Sequence, residues 1–120
     1  MPEVEKVATQ QKATWGKLAK EGALKWICWP RLFDNTEEFF ESGKKEVQTI
    51  VLPFFQKQGF EPSGKRMLDI GCGAGRTTRF FSEIFAEAYG VDISEEMINQ
   101  GKSWNEDRPT STLTLVTALT

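Results

Sequence analysis

Two acids and three glycines are spaced as a nucleoside site would need them. Asp69 interrupts a short apolar run, Met67-Leu68-Asp69-Ile70, and Gly71, Gly73 and Gly75 follow at alternate positions. A second acid, Asp92, closes the run Tyr89-Gly90-Val91 and stands 21 positions after Gly71. In a βαβ unit an acid about 20 residues beyond the glycine turn meets a ribose. A carboxylate there can accept hydrogen bonds from two ribose hydroxyls. The glycines tolerate positive φ and let another group come close to the backbone. A helix starting near Arg76 would aim its free first-turn N–H groups at whatever occupies the turn.

The glycine spacing narrows the ligand. A dinucleotide fold wants G-x-G-x-x-G, but here Gly75 comes one residue early and Arg76 takes the expected place. No G-x-x-x-x-G-K-[ST] is present, so a phosphate loop is unsupported. Asp69 would repel a pyrophosphate yet could face an ammonium. A cofactor with a ribose, a positive charge and no phosphates fits best.

On these residues the chain resembles the class I S-adenosylmethionine-dependent methyltransferases. Leu68-Asp69-Ile70-Gly71-Cys72-Gly73-Ala74-Gly75 matches that family's first motif, and Tyr89-Gly90-Val91-Asp92-Ile93-Ser94 its second. The resemblance spans about residues 66–98 and implies an α/β fold. That fold is a Rossmann-like parallel sheet with helices on both faces, binding S-adenosylmethionine at the strand carboxyl ends. It further implies that the backbone of Gly71, Cys72 and Gly73 approaches the methionine part and that Asp69 faces the ammonium. Asp92 would take the ribose hydroxyls and Ile93 would pack on adenine. The competing local reading makes Asp92 a helix-entry acid and has Asp69 satisfy groups of the turn. Many family members carry an acid after the third strand, whereas Val116-Thr117-Ala118-Leu119-Thr120 offers none. No catalytic residue is assigned.

The elements that must position this site can be read in order. Residues 3 to 21 are rich in Lys, Glu, Gln and Ala, which favours helix, with Gly22 as the expected stop; a frayed terminus is the alternative. Trp26, Trp29 and Phe33 follow, with Pro30 between them; they read as core packing or as a lid over the site. Asn35 with Glu38 offers a capping start. Ser42 and Gly43 should interrupt that helix. Val47, Ile50, Val51, Phe54 and Phe55 then form one face of an amphipathic helix, kinked or ended by Pro53 and closed by Gly59. Lys44 and Lys45 read as solvated, with a reach toward a cofactor carboxylate as the functional alternative.

Met67, Leu68 and Ile70 suit a strand buried on both faces, as in parallel sheets. Phe80, Phe81, Ile84 and Phe85 form the buried face of the crossover helix. Ser94 caps the next helix, with Glu95 and Glu96 favourable in its first turn. Residues 101–109 read as a polar loop, and 112–117 as a third strand. The chain divides into a helical cap segment, 1–64, and a partial S-adenosylmethionine-binding unit, 65–120. Three strands fall short of a full sheet of that family, so an N-terminal fragment or truncated product is expected, inactive by itself and prone to self-association.

The 120 residues carry a net charge of −2, with 39% hydrophobic and 27% charged residues, which marks a globular domain. No basic balance points to nucleic acid, so a small-molecule methyl acceptor is favoured. No apolar run approaches the ~18 residues of a membrane span, and a cytoplasmic location is the expectation. The sequence holds no histidine, which removes Cys/His zinc sites and Ser-His-Asp catalysis. Cys28 reads as a buried hydrophobe and Cys72 as a small spacer between glycines rather than a nucleophile. A nicotinamide-dependent oxidoreductase and a non-enzymatic binding or assembly module are the rival functions.

Overall fold

The computed structural model describes residues 2–26, 35–108 and 113–117. The side chain of Trp26, together with Cys28, Trp29, Pro30 and Phe33, lies outside them, so their core or lid roles do too. Helix α1 (Pro2–Trp26) runs without a break through Gly22. The expected stop is absent because one glycine weakens a helix without ending it.

Helix α2 (Thr36–Glu46) starts as its sequence demands: the Glu38 N–H donates to Asn35 Oδ1 at 2.8 Å. Ser42 and Gly43 do not interrupt it; both are buried inside it. A Cβ at Gly43 would stand 2.7 Å from the Arg76 carbonyl carbon, so the glycine is a contact surface rather than a break. The helix continues through a π turn, Val47–Val51, into α3 (Leu52–Gln58). Pro53 sits in the first turn of α3, and the wider turn before it absorbs the missing N–H. The stripe is correspondingly re-phased: Val47 is buried and Val51 and Phe55 half-buried, while Ile50 and Phe54 face solvent. Gly59, at φ 67°, ends α3. The Phe60 N–H donates to Phe55 O at 2.9 Å, and the two rings meet at 4.8 Å, the contact that accompanies such a cap.

Strands β1 (Arg66–Ile70), β2 (Glu87–Asp92) and β3 (Leu113–Thr117) form one parallel sheet in the order β1-β2-β3. Helix α4 (Thr78–Ile84) connects the first pair. Helix α5 (Glu95–Trp104), capped by Ser94, connects the second. Residues 101–104, expected in a loop, complete α5. Gly101 is buried there because a Cβ would meet the Ala74 carbonyl oxygen at 2.8 Å.

The core lies between the sheet and its helices. Phe39 and Phe40 of α2 pack with Val47, Ala74 and Phe80, and Trp104 closes on both rings edge to face. Cys72, Ile98, Leu113 and Leu115 form a second cluster. On the opposite face Leu68 pairs in register with Tyr89, and Ile70 with Val91. There the expectation of a strand buried on both faces is corrected: Leu68 is 58% and Ile70 79% exposed. Strand β1 is an edge strand here, and on that face Leu68 and Ile70 stay largely open to solvent.

Candidate functional site

The glycine turn begins where β1 ends. Gly71, Gly73 and Gly75 have φ of 76°, 57° and 84°, a region that side chains rarely enter. The N–H groups of Gly71 and Cys72 both donate to Val91 O, at 2.8 and 3.1 Å, which ties the turn to β2. A Cβ added at Gly71 would meet nothing within 4 Å, so the backbone there fronts open space.

Asp92 holds the two loops together. Its Oδ2 accepts from the Gly73 N–H and its Oδ1 from the Ser94 N–H, each at 2.9 Å. These bonds match the local reading of a helix-entry acid. Each carboxylate oxygen keeps a second acceptor direction, so a ligand hydroxyl can still be held. Asp69 turns the other way. Its Oδ2 accepts from Thr78 Oγ1 at 2.7 Å and Thr77 Oγ1 at 3.4 Å, which places the carboxylate at the start of α4.

A cavity of about 340 Å³ opens over the ends of β1 and β2. Its lining includes Gly71, Cys72, Gly73, Asp92 and Ile93, with Ile70, Val91 and Met97 as apolar wall. Asp69 and Gly75 do not line it, nor do Lys44 and Lys45. Gln11 and Trp15 of α1 do. Trp15 stands in the partial apolar stripe of this helix, with Val4, Val7, Ala8 and Leu18, whereas nothing in the sequence singles out Gln11.

The Cys72 side chain is buried in the cluster with Ile98, Leu113 and Leu115. Burial, then the nearby charges of Asp69 and Asp92, pushes its pKa up to about 12. The sulfur fits beneath the sheet because Gly90 leaves room; a Cβ at 90 would stand 2.7 Å from it. Arg76, at the place of a dinucleotide fold's third glycine, is a fastener that sequence reading missed. Its Nη2 pairs with Glu46 Oε2 at 2.8 Å and its Nη1 donates to Ser42 Oγ at 3.2 Å, clamping α2 to the turn.

Among the described residues no helix is long and apolar enough to cross a membrane, and no cluster of acids or cysteines could hold a metal ion.

Residues 67–119 match the family model of a methyltransferase domain. A probable fatty acid methyltransferase of Mycobacterium tuberculosis is 29% identical over 97 residues, covering 76% of this chain and 22% of that protein. The uncharacterized methyltransferase YcgJ of Bacillus subtilis is 30% identical over 76 residues, covering 63% and 30%. The chain thus spans less than a third of these relatives' length. In fold it is similar to the magnesium protoporphyrin IX methyltransferase of Synechocystis. That enzyme, solved with S-adenosylhomocysteine bound, superposes with a TM-score of 0.59 at 20% identity. The match covers 91% of this chain and 50% of that one. The Rossmann-like architecture is common to both.

Proposed function

We propose that this chain, whose residues 67–119 belong to the methyltransferase domain family, binds S-adenosylmethionine over the ends of β1 and β2. It would serve as the cofactor-binding part of a methyltransferase acting on a small molecule. The observation that carries this reading is the bond from Gly73 to Asp92, which fixes the glycine turn and the acid as one unit beside an open cavity.

The residues present fit the cofactor. A cavity of about 340 Å³ falls in the size range of small-molecule sites. Asp92 would accept the ribose hydroxyls on its remaining lone pairs, and Ile93 would pack on adenine. The backbone of Gly71, Cys72 and Gly73 would lie along the methionine part. Gly75 would support that turn from below, since it lies outside the lining. Asp69 would reach the ammonium through its other oxygen or a water. When bound, the cofactor supplies an activated methyl group on a sulfonium. Transfer then depends on holding the acceptor in line, and no residue of this chain is assigned as its base.

The division into a helical cap, 1–64, and a binding unit, 65–120, belongs to the same proposal, as does a cytoplasmic setting. A small-molecule acceptor is favoured by the net charge of −2. We expect residues 1–120 alone to bind weakly, to lack turnover and to self-associate through the open edge of β1 and its exposed Leu68 and Ile70. Sedimentation and a labelled methyl-transfer assay would test this; a monomer with turnover would refute it. Calorimetric titration with S-adenosylhomocysteine and with NAD tests the cofactor. Heat with NAD alone would favour the oxidoreductase, and heat with neither a binding or assembly module.

A further inference from the structure

We propose that Gly43 of α2 and Gly101 of α5 are positioning residues that set the glycine turn from behind, an inference that rests on the cofactor reading for what the turn's other side meets. Ala74 and Arg76 lead the turn toward α4, and each presents its carbonyl group to a buried helical glycine. A Cβ at Gly101 would stand 2.8 Å from Ala74 O and 3.0 Å from its carbonyl carbon. A Cβ at Gly43 would stand 2.7 Å from the Arg76 carbonyl carbon. Both neighbours are main chain, and neither can swing aside as the end of a side chain can. Two helices far apart in sequence therefore stop against one loop. Side chains lock each stop: Arg76 donates to Ser42 Oγ at 3.2 Å and pairs with Glu46 at 2.8 Å, on either side of Gly43. Asn105 Nδ2 donates to Gly101 O at 2.7 Å.

The surrounding packing decides which partner would yield to an added methyl group. Helix α2 is anchored by buried Phe39 and Phe40, with Trp104 edge to face on both. Helix α5 is anchored by buried Met97 and Ile98. Opposite them the turn fronts the cavity, and a Cβ at Gly71 would meet nothing within 4 Å. A close-packed interior resists displacement, so the turn moves toward its open side. That movement takes the backbone of residues 71–73 into the ligand's space and disturbs the bond from Gly73 to Asp92. Neither Gly43 nor Gly101 lines the cavity. Each acts only through where it puts the turn.

The test uses the full chain and the variants Gly43→Ala, Gly101→Ala and Phe85→Leu. Phe85 packs with Phe55 and Phe60 at the far end of α4 from the turn, and its truncation is the control for lost stability. Amide NMR without ligand reads the turn, and calorimetry with S-adenosylhomocysteine reads the site. In both glycine variants the Gly73 amide resonance should shift, while that of Phe60, at the end of α3, stays. Affinity should fall about tenfold, the scale of an overpacked contact. Phe85→Leu should unfold at lower urea with the Gly73 resonance and the affinity unchanged. An unmoved Gly73 resonance in a folded glycine variant, a shifted resonance with unchanged affinity, or an equal loss of affinity in Phe85→Leu would each overturn the proposal. Failure of both glycine variants to fold would also overturn it, because the two contacts would then be core packing alone. If the wild-type protein takes up no S-adenosylhomocysteine, the cofactor reading fails, and the NMR comparison by itself upholds or overturns the setting of the turn.

Discussion

The amide of Gly73 donates to the carboxylate of Asp92 at 2.9 Å, across 19 positions of sequence. The bond joins the end of β2 to the middle of the glycine turn. It makes Asp92 a structural residue before any ligand arrives, so substitutions there must be read on stability and on binding together.

Asp92→Ala should lower unfolding free energy by about 1–3 kcal/mol, because the Gly73 and Ser94 amides lose their acceptor. It should also weaken S-adenosylhomocysteine binding. Asp92→Asn keeps one acceptor oxygen and should fall between. Urea unfolding alongside calorimetry separates the effects; a stable Asp92→Ala protein with full affinity would remove both roles.

Gly73→Val should abolish cofactor binding. Its φ of 57° is hostile to a β-branched side chain, and the added atoms would take space the ligand needs. Titration of the folded variant checks this, and retained affinity would contradict the assigned turn.

Gly43→Ala should destabilise the protein by about 1–3 kcal/mol as an overpacked contact, although alanine is the better helix former. The new Cβ would run into the carbonyl of Arg76, which is backbone and held by the α2 contact. Thermal unfolding decides it; a stabilised variant would show that α2 can shift freely on the turn.

Cys72 makes stability fall with alkali. Its thiol pKa is raised from 9.0 to about 12 in the folded protein, so the folded state keeps a proton that the unfolded state gives up. The stabilisation is complete below pH 9 and is lost as pH rises toward about 12. Cys72→Ala should therefore show a shallower loss over that window than wild type in urea unfolding. Parallel curves would mean the thiol ionises without cost.

Much of the fold was legible because strong local signals agreed. Asn35, Ser94 and Gly59 sit at their helix ends as their side chains or φ require. The two acids bracket a βαβ unit whose strands pair as read. What escaped was non-local. Gly22, Gly43 and Gly101 all lie inside helices, and in the last two the glycine is explained by a neighbour distant in sequence. The hold of Thr77 and Thr78 on Asp69 Oδ2 was not legible either, because two hydroxyls at a helix start carry no pattern that names their acceptor. Gln11 and Trp15 join the cavity because α1 lies along α5, and the partial apolar stripe of α1 that includes Trp15 does not name that partner.

The π turn at Val47–Val51 bears on how this chain can change length. It amounts to an α-helix with one surplus residue. Deleting a residue there would give a plain helix and could leave Phe39 and Phe55 on their present sides. The same deletion would return Pro53 to an ordinary helical turn, where its ring strikes the carbonyl four residues back. The surplus residue and the proline are therefore a matched pair: an indel in this segment is tolerable only together with a substitution at 53, and a lineage that loses one should be found to have lost the other.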